Sequence, residues 1–336
     1  MMIRPPDDDA IADAVRRLRA GELVGIPTET VYGLGADAEN VHAVAKIFAL
    51  KGRPATHPVI VHLFSPDEID QWARDVSADA QRLLRAFAPG PLTLIVKRSA
   101  RVPDVVTGGQ DTVGLRFPSH PVARALLRDF GGGVAAPSAN RFGRISATTA
   151  QHVADEFGGR SVDGLRLILD GGPCAVGIES TIVDVSRSRA AVLRPGGIAA
   201  TDLAAVLGYM PEARSHASPR VSGDLASHYA PQTPTRLVAP DVLADEALAL
   251  GPTKAKRAVL ARSATPPAGF QGLWRFAPAA AADYARALYA ELRVLDASAA
   301  DLILIEAPPS TSEWQAINDR LRRATHRAEV TTGDRR

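Results

Sequence analysis

The feature that most constrains this chain is a regular alternation, through its first two-thirds, of short apolar runs with stretches of helical spacing. Ile11, Ala14, Val15 and Leu18 follow an acidic turn and precede Gly21, which predicts a helix over 11–20. Asn40 and Ser77 are capping residues, the first opening a helix that runs through Leu50, and 120–130 is also helical in spacing. Segments 23–26, 59–63, 92–96, 112–117, 134–136 and 165–169 read as strands, and 181–185 with 191–193 as a hairpin. Strands and helices interleaved in this way predict an α/β fold, a sheet with helices packed on it, partly antiparallel near its end.

Past Gly208 the texture changes. Residues 209–234 are rich in Pro, Ser, Gly and His without sustained periodicity, which reads as a linker or a loop lying over something. A second, smaller α/β pattern follows over 235–328. Its strands fall at 235–238, 258–262, 273–276 and 302–305, its helices at 242–250 and 283–294, and a basic helix comes after Glu313. The expected organisation is therefore a first domain over 1–208, a linker over 209–234, a second domain over 235–328 and a frayed tail at 329–336.

Several function classes are disfavoured. A formal net charge of +2 gives composition no argument for nucleic-acid binding. No apolar run approaches a membrane span and the N-terminus lacks a signal-peptide core, so a cytoplasmic protein without membrane association is expected. Cys174 is the single cysteine, which excludes an intrachain disulfide and a cysteine zinc site; with no obvious base it reads as a small buried residue. His57, His62, His120 and His152 show no metal-ligand spacing, and no serine nucleophile elbow occurs, so no covalent enzyme intermediate is expected. Gly33-Leu-Gly35 and Gly131-Gly-Gly133 fit neither standard phosphate loop and read as turns.

Three constellations remain. Lys51 and Arg53 leave a helix end beside the stiffening Pro54; they either complement the helix dipole or reach an anion, lysine as a point charge and arginine as a planar fork. Ser138 and Asn140 follow a strand, where a turn and a ligand site both use such residues. Ser180-Thr181 enters an apolar alternation after Gly177-Ile-Glu. Arg116 and Arg194 each close a strand, and His62 is a core histidine or faces a pocket. Together these point to a site holding polyanionic or zwitterionic small molecules, and hence to an enzyme.

The ordered runs Pro27-Thr-Glu-Thr-Val-Tyr-Gly-Leu-Gly35, Lys51-Gly-Arg-Pro, Pro89-Gly-Pro-Leu-Thr93, Pro137-Ser-Ala-Asn140, Gly177-Ile-Glu-Ser-Thr181 and His228-Tyr-Ala-Pro231 resemble the L-threonylcarbamoyladenylate synthase family in its two-domain form. That resemblance implies a YrdC-like twisted mixed sheet plus a smaller Rossmann-like domain. It implies that L-threonine and bicarbonate give a carbamate that attacks the α-phosphate of ATP. Pyrophosphate leaves, and threonylcarbamoyl-AMP passes to a separate transferase complex that modifies tRNA. Magnesium would bridge the phosphates with few protein ligands. By similarity, Thr30, His62, Arg116 and Ser180 hold threonine, with Arg116 forked onto its carboxylate. Lys51 and Arg53 meet the phosphates as the catalytic pair. His57, Thr112, Ser138, Asn140, Ser146 and Arg194 line the nucleotide and its metal, and Tyr229 folds over the site as a lid.

Two departures from the family pattern stand out. His57 occupies a position where the family commonly carries asparagine, which brings a titrating group there. Ser218-Pro-Arg-Val-Ser-Gly223 stands where many relatives read Ser-Pro-Gly-Met. Two other readings compete. One is an RNA-binding module, or a weak tRNA contact, through the cationic stretch Arg320 to Arg327. The other is a hydrogenase-maturation carbamoyltransferase, whose zinc segment one cysteine cannot supply.

Overall fold

The first helix, Asp8–Arg19, forms where the acidic start and the apolar spacing place it: Asp7 caps it by accepting from Ala10 N, and Ala10, Ile11, Ala14, Val15 and Leu18 are buried. Asn40 and Ser77 cap Val41–Lys51 and Ala78–Phe87 in the same way. The computed structural model describes residues 1–158, 164–249 and 256–326. The expected tail at 329–336, and residue 250 at the end of the helix placed over 242–250, lie outside the described residues. Among the described residues no helix is long and apolar enough to cross a membrane.

The chain divides into two units. The first comprises Met1–Phe142, Ser146–Asp224 and Ala282–Ala290; the second comprises Gly143–Ile145, Leu225–Ala281 and Glu291–Arg336. The division thus falls inside the irregular 209–234 stretch, after Asp224.

In the first unit the strands are β1 (Met2–Arg4), β2 (Leu23–Ile26), β3 (Gly33–Asp37), β4 (Ile60–His62), β5 (Ala73–Arg74), β6 (Leu92–Arg98), β7 (Thr112–Arg116), β8 (Val134–Ala135), β9 (Leu165–Leu169), β10 (Thr181–Asp184), β11 (Ala191–Arg194) and β12 (Glu212–Ala213). They form one sheet in the order β1-β9-β2-β3-β8-β4-β7-β6-β10-β11-β12, with β5 beside β6. Antiparallel pairs are not confined to the end, as the sequence led us to expect. β2–β3, β3–β8, β4–β8 and β6–β7 are all antiparallel, whereas β4–β7 and β6–β10 are parallel. One large apolar core joins Leu34, Ile47, Val61, Trp72, Leu94 and Leu115, all at most 1% exposed. A second, around Leu18, Leu126 and Leu167, seats the helices Asp8–Arg19 and Pro121–Phe130.

Gly33-Leu-Gly35, expected as a turn, is strand β3. A Cβ on Gly35 would stand 2.3 Å from Ile26 Cδ1 and 3.1 Å from Val134 Cγ1, so the neighbouring strands need glycine here for packing rather than for turning. Gly131 does end a helix, in the left-handed conformation at φ 70°.

The second unit is a parallel sheet of β13 (Thr235–Val238), β14 (Arg257–Ala261), β15 (Leu273–Phe276) and β16 (Leu302–Glu306) in the order β13-β16-β14-β15. Its helices include Leu243–Leu248 and Gln315–Thr325, and of the helix Ala281–Asp296 residues 282–290 group with the first unit and the rest with the second. Glu306, buried at the end of β16, accepts from the backbone N–H groups of Arg262, Ser263 and Ala264, occupying with its own carboxylate the amide nest beyond β14. The helix expected to be a cationic face is instead largely an internal network. Arg320 is fully buried, donates to Asp319 and lies over the Tyr229 ring; Arg323 donates to Asp319 and to the Leu225 carbonyl. Only Arg322 of these three is well exposed, which removes most of the support for RNA binding there; Arg327 lies outside the described residues.

Candidate active site

Strand register brings the site together. His62 ends β4 opposite Arg116, which ends β7; Arg116 in turn pairs with Thr93 at the start of β6, and Thr93 with Ile182 in β10. His62, Arg116 and the loop before β10 therefore share one end of four adjacent strands. Because β8 runs antiparallel to β4, the chain leaving β8 heads for the other end: Ala136 N donates to the Ile60 carbonyl. Ser138 and Asn140 follow there, as does Thr112 at the start of β7. The rule that ligands gather beyond the carboxyl ends of strands belongs to parallel sheets. In this mixed sheet the candidate residues occupy both ends and the face between.

At the first end Arg116 is buried, at 4% exposure, and its Nη2 donates to Glu29 Oε1 at 2.7 Å and to Thr28 Oγ1 at 3.4 Å. The Glu29 carboxylate also accepts from Ser119 N. Burial opposes the charge on Glu29, but the Arg116 guanidinium together with backbone N–H donors outweighs it and holds the carboxyl below the usual range. Thr28 and Thr30 hydroxyls lie 2.9 Å apart. Burial, and then the Arg116 charge, push His62 down to about 3, so its imidazole is neutral. His62 Nδ1 and Arg116 Nε have no hydrogen-bond partner among the described residues. Two buried donors or acceptors of this kind, side by side, suit a polar ligand.

Ser180 stands beside this group. Its hydroxyl lies 2.7 Å from Thr93 Oγ1, and Arg194 Nη2 donates to it at 3.1 Å. Arg194 also donates from Nε and Nη2 to the Ser180 carbonyl and from Nη1 to the Ser222 carbonyl at 2.9 Å. Arg53 Nη2 donates to Ser222 Oγ at 3.1 Å and to the Pro58 carbonyl at 2.7 Å. A line of contacts thus runs from Ser180 through Arg194 and Ser222 to Arg53. Ile60, Ile95, Ile182 and Leu193 form the apolar floor below it, with Val221 packed on them. A small cavity at the Thr112 end is lined by Ile95, Gly114, Gln110 and Arg220 among others.

Lys51 does not project from its helix end. It is buried, and its ammonium donates to the carbonyls of Ser138 and Asn140, while Phe142 N donates back to the Lys51 carbonyl. Burial first and Arg53 second hold its pKa well below the ordinary lysine value. Asn140 donates to the Arg141 carbonyl. Ser146, fully buried, donates to Glu179 at 2.6 Å. His57 sits edge-on to Phe142, its pKa lowered by burial and then by Arg53 and Arg220. Tyr229 belongs to the second unit, where it is buried at a positive φ of 60° against His228.

Several residues of this arrangement were missed from the sequence: Glu29, Thr93, Glu179 and Ser222. Glu29 and Glu179 carried a signal, as carboxylates embedded in otherwise small or apolar motifs. Ser222 carried none. Cys174 is buried and its thiol is pushed up to about 12 by burial, which makes it no nucleophile. Among the described residues no group of three or more His, Cys, Asp or Glu could hold a metal.

A neutral histidine, a buried arginine and hydroxyls at one end, with cations toward the other, suit an amino acid beside a polyphosphate. The chain resembles known proteins over most of its length. The family model described as "Telomere recombination" (Sua5, YciO and YrdC) matches residues 16–196, and that of the threonylcarbamoyl-AMP synthase C-terminal domain matches 198–326. The threonylcarbamoyl-AMP synthase of Bacillus subtilis is 36% identical over 337 residues, 95% of this chain and 93% of that protein. The Pyrococcus abyssi synthase is 43% identical over 224 residues, 64% of this chain and 63% of that protein's length. The crystal structure of P. abyssi Sua5 complexed with L-threonine matches with a TM-score of 0.88 at 33% identity, over 96% of each chain. The chain belongs to the Sua5–YciO–YrdC family, as one of its two-domain threonylcarbamoyl-AMP synthases.

Proposed function

We propose that this chain condenses L-threonine, bicarbonate and ATP into threonylcarbamoyl-AMP and pyrophosphate, the first step toward N6-threonylcarbamoyladenosine in tRNA. The observation that carries this reading is the buried pair of unsatisfied atoms at His62 and Arg116, next to Ser180 and joined through Arg194 and Ser222 to Arg53.

In this account Arg116, aimed by Glu29, meets the threonine carboxylate, while Thr30, neutral His62 and Ser180 receive the rest of the amino acid. The threonine amine attacks bicarbonate, and loss of water leaves the N-carboxylate. That oxygen attacks the α-phosphorus of ATP, and the bond to the β-phosphate oxygen breaks as pyrophosphate leaves. No side-chain nucleophile takes part; the protein aligns three substrates and offsets negative charge. Arg53 and Arg194 supply fixed positive charge, and both now hold Ser222, so the nucleotide exchanges with or adds to those contacts. Lys51 acts chiefly by holding the Ser138 and Asn140 carbonyls, which fixes that loop for the nucleotide. His57 would add a neutral imidazole on the same side. Magnesium would enter as part of the MgATP substrate, there to offset phosphate charge, with few protein ligands called on to hold it. Tyr229 as a nucleotide-facing lid residue and transfer of the product to a tRNA-modifying complex rest on the family resemblance, and a cytoplasmic location rests on the sequence, in which no apolar run approaches a membrane span.

The test is product identity. Incubation with ATP, magnesium, threonine and labelled bicarbonate should carry the label into a threonine–AMP conjugate seen by mass spectrometry. ATP hydrolysis without any such conjugate would overturn the assignment.

A further inference from the structure

Residues 282–290 belong by sequence to the segment matched by the C-terminal family model, yet they cluster with the first unit. Their contacts there converge on one loop, 175–180. Arg286 Nε donates to the Ala175 carbonyl at 2.9 Å. Gly177 lies at φ 80°, and a Cβ there would stand 2.4 Å from Arg286 Cα, so the helix backbone presses directly on the loop. Tyr289 is fully buried and its hydroxyl donates to Glu179 Oε2 at 2.8 Å; Ser146 donates to Oε1 of the same carboxylate at 2.6 Å. Glu179 is 6% exposed and adjoins Ser180.

We infer that Tyr289 is a positioning residue for nucleotide binding. It anchors one oxygen of Glu179, and so fixes the other oxygen that orients Ser146. A carboxylate this buried is costly unless its lone pairs are occupied, and charge-assisted hydrogen bonds hold it more tightly than neutral ones. With Tyr289 in place, each oxygen has a donor. Without that hydroxyl the carboxylate loses one charge-assisted hydrogen bond, and the acceptor of Ser146 is held less firmly. The C-terminal segment would on this account supply a wall of the catalytic unit, since a chain ending before 282 lacks both Arg286 and Tyr289. The inference rests on the reading of Ser146 as a nucleotide residue, and Tyr289 itself need touch no substrate.

The experiment is a double-mutant cycle in the full chain, with Tyr289→Phe, Glu179→Gln and the pair, read calorimetrically as affinity for MgATP without turnover. Tyr289→Phe should weaken MgATP about tenfold, the size of one hydrogen bond to a charged group, while threonine affinity changes far less. In the Glu179→Gln background the same change should add little, because the group it positions has been altered. A melting temperature recorded for each variant separates lost fold from lost binding. Unchanged MgATP affinity in a folded Tyr289→Phe protein, or strictly additive effects, would overturn the inference. If the unaltered chain binds MgATP but makes no threonine conjugate, the synthase reading fails and the positioning role stands.

Discussion

At the residue scale the decisive contrast is between groups that hold each other and groups left for a ligand. Ser180 already contacts Thr93 and Arg194, and Arg116 is braced by Glu29, whereas His62 Nδ1 and Arg116 Nε have no protein partner among the described residues. Ser180→Ala should therefore raise the KM for threonine about tenfold, with a smaller change for ATP; equal changes in two substrate titrations would count against its placement. Arg53→Ala should abolish pyrophosphate formation while circular dichroism stays native, and retained turnover would remove Arg53 from the phosphate site. His62 gives a pH prediction with a definite sign. Its pKa is about 3 in the fold and near 6.5 in the unfolded chain, so the unfolded state binds the extra proton between those values. Stability should fall as pH drops below about 6.5, by up to roughly 1.4 kcal/mol per unit from this group, and be flat above. Denaturant melts of the unaltered protein and His62→Gln at pH 7.5 and 5 should show a shallower loss in the variant. Identical losses would mean that His62 is not held neutral.

At the scale of elements, strands set the site and their directions were the hard part to read. The capped helices at Asn40 and Ser77, the hairpin at β10–β11 and the four strands of the second sheet were legible because local spacing and capping chemistry decide them. β3 was not, since Gly33-Leu-Gly35 mimics a turn and only the Ile26 and Val134 side chains explain Gly35. The antiparallel entry of β8 was equally hidden, because pairing direction depends on contacts far apart in sequence. That direction sends Ser138 and Asn140 to the opposite strand end from His62 and Arg116. Gly177 belongs to this scale too, as the joint between a loop and a helix. Gly177→Ala should cost about 1–2 kcal/mol from the left-handed backbone alone, with overlap against Arg286 added. A melting temperature unchanged from that of the parent would show that the loop does not hold this conformation.

For the molecule as a whole, the division of labour does not follow the sequence boundary suggested by composition. Candidate site residues were legible as types, a lysine, arginines and serines in short motifs, but their partners were not. Glu179 is tied to Tyr289 across 110 residues, and Arg53 to Ser222 across 169, distances over which no local pattern reports. Residues 209–224 and 282–290 belong to the first unit, so a chain cut after Gly208 loses Val221 from the apolar floor, Ser222 from both arginines and Tyr289 from Glu179. Such a truncation should retain less than about a tenth of the activity, given the loss of several buried polar contacts at once; full activity would show the later segments to be dispensable. The most direct test of the central claim is pyrophosphate release from MgATP with threonine and bicarbonate omitted in turn. The account predicts release only when both are present. Release that persists without either substrate, or none when all three are supplied, would contradict it.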